Sequence, residues 1–72
     1  MSKSFDELKR VANSLKDETG VVSVEKTEVR GVYTITIERG YRFSGRFSEC
    51  IAYIDGLYHQ FLRRMEVINE QA

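Results

Sequence analysis

The chain has no proline, one cysteine and one histidine among 72 residues, and it carries no net charge. Each shortage removes a class of protein. A single thiol, Cys50, excludes an intrachain disulfide, so no covalent staple supports the fold. Cys50 and the one histidine, His59, do not supply the ligand set or the spacing of a structural zinc site. No apolar run approaches the ~20 residues that a membrane-spanning helix requires. Met1-Ser2-Lys3-Ser4 leads straight into an amphipathic segment, which reads as a chain without a signal peptide. With one thiol and no export signal, the expected location is cytoplasmic. No low-complexity run, repeat or linker appears, so residues 1–72 read as one small domain.

What is present is globular: 42% hydrophobic and 31% charged residues, too apolar for a disordered chain. A domain this short buries about 60% of the surface its unfolded chain exposes, and its core supplies only about 3–5 kcal/mol. With disulfide and metal both excluded, a partner chain is the remaining source of support. The expectation is therefore a homodimer. Charge is balanced overall but uneven along the chain. Residues 1–20 hold four basic and four acidic side chains, residues 21–47 hold five and three, and residues 48–72 hold two and four. This excludes a strongly basic domain and weakens a nucleic-acid reading.

Phe5, Leu8, Val11, Ala12 and Leu15 recur at helical spacing and predict a helix from Phe5 to about Glu18. Ser4 and Glu7 have the spacing of a capping box, and Gly20 stands where a left-handed stop is needed. Val22 and Val24 alternate with Ser23 and Glu25, as in a strand. Val32–Glu38 is the clearest strand: Tyr33, Ile35 and Ile37 form its apolar face, Thr34, Thr36 and Glu38 its polar one. Val29–Val32 and Arg39-Gly40 read as turns. Tyr41 and Phe43 alternate with Arg42 and Ser44 in a short third strand, with both aromatics expected in the core. A last helix is expected from about Ser48 to Asn69, with Ser48 as N-cap. The resulting fold class is α+β, in the order α-β-β-β-α. It is a three-stranded antiparallel meander packed against two helices, the C-terminal one long.

That last helix carries a stripe at 4-3-4-3-4-3 spacing: Phe47, Ile51, Ile54, Tyr58, Phe61, Met65 and Ile68, widened by Cys50, Leu57 and Leu62. A helix of ~22 residues is about 33 Å long, whereas a strand of ~7 residues spans about 23 Å. The helix should overhang its sheet, yet the overhanging end remains apolar. Such a surface should not stay in water. Tyr58, Phe61, Leu62, Met65 and Ile68 are therefore the expected dimer contacts.

Sites of chemistry are few. Cys50 falls on the apolar stripe and His59 on the polar side of the same helix, so they do not form a nucleophile–base pair. The carboxylates lie on helix surfaces, with no crowding to separate their pKa values. Gly40 and Gly45 bracket Tyr41-Arg42-Phe43-Ser44, but no phosphate-loop pattern is present. Arg39, Arg42 and Arg46 interleave with aromatics, an arrangement that could contact phosphates in a nucleic acid. Ala52 and Gly56 form a small-x-x-x-small pair on the far side of the last helix, a second potential packing surface.

The order α-β-β-β-α resembles that of double-stranded-RNA-binding domains. Those domains carry a lysine cluster at the start of the second helix. Ser48-Glu49-Cys50 stands there instead, so the resemblance is one of element order and implies no RNA binding. The expected function is a non-enzymatic protein-interaction module, a small homodimeric regulator or adaptor. The alternative is a nucleic-acid-binding protein using an arginine-bearing strand face. No catalytic residue, cofactor or metal is expected. A small-ligand pocket would have to be lined by Tyr33, Tyr41 and Tyr58.

Overall fold

A computed structural model describes the backbone of residues 3–71 and the side chains of residues 3–67. The elements are α1 (Lys3–Ser14), α2 (Lys16–Thr19), β1 (Val21–Lys26), β2 (Val32–Ile37), β3 (Arg42–Arg46) and α3 (Phe47–Gln71). The strands form one antiparallel sheet in the order β1-β2-β3, with the helices packed on one face. The expected α+β meander with a long C-terminal helix is the fold.

The first helix is split. Ser14 Oγ donates to Val11 O at 3.0 Å, and Leu15 leaves helical geometry at φ −110°, ψ 16°. A serine hydroxyl that bonds back to the preceding turn offers the backbone an alternative to the helical ladder. α2 then ends as expected at Gly20, which adopts φ +76° and donates its N–H to Lys16 O at 2.9 Å. Ser4 is itself helical and does not cap α1, and Glu7 instead pairs with Arg10 at 3.7 Å.

Alternation in β2 works as the sequence implies. Tyr33 and Ile35 are buried, while Thr34 on the opposite face shares a 2.9 Å hydrogen bond with Ser44 of β3. Two expectations fail at strand ends. A bulge between Val21 and Ser23 shifts the register of β1, so Val21 enters the core and Val22 turns out, 63% exposed. Tyr41 precedes β3 and belongs to the turn, where Gly40 N–H reaches Ile37 O at 2.9 Å; its ring is 65% exposed, not in the core. Phe43 is half-buried and stacks on Tyr53, with centroids 4.4 Å apart and planes 5° off parallel.

β3 runs into α3 without a loop. Arg46 still pairs with Val32, and its N–H donates to Glu49 Oε1 at 2.9 Å. Glu49 thus satisfies one free donor at the helix start, as the acidic half of a capping box does. Arg46, not Ser48, is the capping position. Gly45 fits this junction because a side chain there would meet Glu49 Cβ at 3.1 Å and the Phe43 ring at 3.2 Å.

The core is Leu8 and Ala12 from α1, Val21, Tyr33 and Ile35 from the sheet, and Cys50 and Ile54 from α3. Its members come from the first half of α3 only. At 1.5 Å per residue, the helix of 25 residues is about 37 Å long, while six-residue strands span about 20 Å. The molecule measures 48 Å along its longest axis, and the second half of α3 projects past the sheet.

Candidate interaction surfaces

The projecting end of α3 keeps its apolar side chains without covering them. Tyr58 and Phe61 are half-buried; Leu62, Met65 and Val67 are 39%, 42% and 50% exposed. α2 lies beside α3 at Leu57, Gln60, Phe61 and Arg64. Of the expected dimer residues, four therefore lie along one continuous stretch, and the side chain of Ile68 lies outside the described ones. Val67, on the other side of the helix, adds further exposed apolar surface at this end.

Where α3 leaves the sheet, a groove opens between α2, the β2–β3 turn and α3. Ile37, Leu57, Phe61 and Tyr41 give it an apolar side; Asp17, Glu18 and Glu38, together with Arg39 and Arg64, give it a charged one. Glu18 Oε2 is sealed from solvent there and has no hydrogen-bond partner among the described residues. A buried acceptor left in that condition costs about 1–3 kcal/mol. Tyr33 packs instead against Phe5, with centroids 5.6 Å apart, and is buried. The imagined pocket of Tyr33, Tyr41 and Tyr58 is thus not formed: one ring is in the core and another is out in a turn.

The arginines are divided. Arg42 pairs with Thr36 and Arg46 with Val32, which places both on the open face of the sheet beside Thr34 and Ser44. Arg39 sits in the β2–β3 turn and lines the groove at the sheet end. The open face carries no aromatic ring, and Glu25 occupies it as well, opposite Thr34.

Cys50 is fully buried, with Sγ 3.4 Å from Gly45 O and 3.8 Å from Tyr33 O. Burial, and then the charge of Glu49, push its thiol above the ordinary value of 9.0. A neutral, enclosed thiol is a poor nucleophile. His59 is exposed and bound within its own helix turn, with Nδ1 2.8 Å from Asp55 O and 3.3 Å from Asp55 Oδ2. Ala52 and Gly56 are exposed, and nothing lies within 4 Å of where a Gly56 side chain would stand. Among the described residues, no helix is long and apolar enough to cross a membrane. No protein-family model, curated protein or solved structure matches this chain.

Proposed function

We propose that this chain is a non-enzymatic protein-interaction module that works as a homodimer, with the projecting half of α3 as the self-association surface. One observation carries the reading: Leu62, Met65 and Val67 stay exposed on a helix end that its own sheet does not reach. Two further points favour a second copy as the cover. The core is small for a domain without disulfide or metal, so burial between copies supplies what one copy lacks. Tyr58, Phe61, Leu62 and Met65 also share one helix face, which a two-fold axis can pair with itself.

The reading predicts that stability depends on protein concentration, because association adds to the stability of the folded chain by mass action. The urea midpoint should rise as the protein is concentrated from low to high micromolar. Met65→Glu should lower the midpoint and remove that dependence. A midpoint independent of concentration in the unmodified chain would contradict self-association. The nucleic-acid alternative rests on Arg42 and Arg46 sharing an open face. It requires binding that weakens steeply with salt and is lost in the Arg42→Glu, Arg46→Glu double variant.

A further inference from the structure

We propose that the edge of β1 and the adjoining flank of α1 form a groove that captures an extended, acidic segment of a partner protein by strand addition. β1 is an outer strand of the sheet, and α1 lies alongside it. Between them runs an open groove of about 570 Å³. Lys9 and Arg10 of α1 and Lys16 at the start of α2 stand along its helical wall with Asp6 as the opposing charge, and Val22 and Val24 form its strand side. Lys9 and Lys16, with Arg10 shared with Glu7, outweigh Asp6 and favour an acidic occupant. Val22, turned out by the bulge, adds exposed apolar surface at one end.

The backbone supplies the second half of the recognition. Thr27 N–H donates to Val32 O at 3.2 Å, so in this antiparallel pair the hydrogen-bonded positions of β1 are Glu25 and Ser23, two and four residues back. Val24 and Lys26 then direct their N–H and C=O groups away from β2, along the open edge. An added strand would use these groups for affinity and its alternate side chains for selectivity. The partner is thus a segment without helix, rich in Asp or Glu, with apolar residues at alternate positions. This names a partner for the interaction module but does not require the α3 dimer.

The test is a fluorescence-anisotropy titration of the full chain into a labelled short peptide alternating glutamate and valine. Three controls accompany it: the same peptide with lysine for glutamate, a version N-methylated at alternate residues, and protein carrying Lys9→Glu, Arg10→Glu and Lys16→Glu together. Saturable binding of the acidic peptide is expected, weakened at least about tenfold in each control. Backbone amide resonances of Val24 and Lys26 should shift on binding. Equal binding of the lysine peptide or the N-methylated one would overturn the proposal, as would no saturable binding. An equal loss on Arg42→Glu would overturn it too, by placing the site on the open sheet face. Met65→Glu should leave the peptide affinity unchanged, so failure of the groove and failure of the dimer are read separately.

Discussion

Cys50 illustrates how one residue links packing to pH. Its folded thiol is held neutral by burial, so its pKa lies above the ordinary 9.0. Below that pH the thiol is protonated in both folded and unfolded chains, and its contribution to stability is constant. Above it, the unfolded chain ionises while the folded one does not, and stability falls until the folded thiol also titrates. Urea midpoints from neutral pH to beyond pH 9.0 should therefore decline more steeply in the unmodified chain than in Cys50→Ala. Equal slopes would mean that Cys50 is accessible. At Ile35 and Ile54, both fully buried, truncation to alanine should cost about 2–5 kcal/mol, whereas Ile35→Val should cost only about 0.5–1.5. Losses of that size rival the whole stability of a small domain, so the alanine variants should be largely unfolded by far-ultraviolet circular dichroism. Tyr33 and Tyr41 mark the limit of residue-level reading. Both appear on alternating patterns, but the pattern continues past the end of a strand, and only the turn geometry around Gly40 decides that Tyr41 faces water.

At the scale of elements, the β3–α3 junction makes the sharpest claim. Glu49 holds the Arg46 N–H at 2.9 Å, so Glu49→Ala should lose about 1 kcal/mol by chemical denaturation, while Glu49→Gln should retain most of it. Equal losses in the two would point to charge rather than the hydrogen bond. The order of elements, the sheet topology, the Gly20 stop and the core stripe of α3 were all legible, because periodicity and glycine placement report them directly. Caps and register were not. The Ser4–Glu7 spacing matches a capping box, and Ser48 matches an N-cap by residue type. Ser4 nevertheless lies within α1, and α3 begins one residue before Ser48, at Phe47. For α3 the reason is that β3 stays paired through Arg46, a long-range constraint that no local window contains. The Val21–Val22 bulge is hidden for the same reason: two adjacent valines look interchangeable until β2 fixes which one faces inward.

For the molecule as a whole, the length mismatch between helix and strand was readable from spacing, and so was the apolar character of the projecting end. Neither the β1 groove nor the charged groove at the sheet end was. The second gathers residues far apart in sequence, such as Asp17, Glu38 and Arg64, and the first depends on how α1 and α2 pack beside the edge of β1. The central claim is that the projecting half of α3 buries itself against a second copy. Light scattering on the eluting size-exclusion peak, at high micromolar concentration, tests it most directly. The unmodified chain should have twice its 8.4 kDa mass, and Leu62→Glu with Met65→Glu should return it to 8.4 kDa with its secondary structure intact. An unmodified chain that elutes at 8.4 kDa would contradict the account.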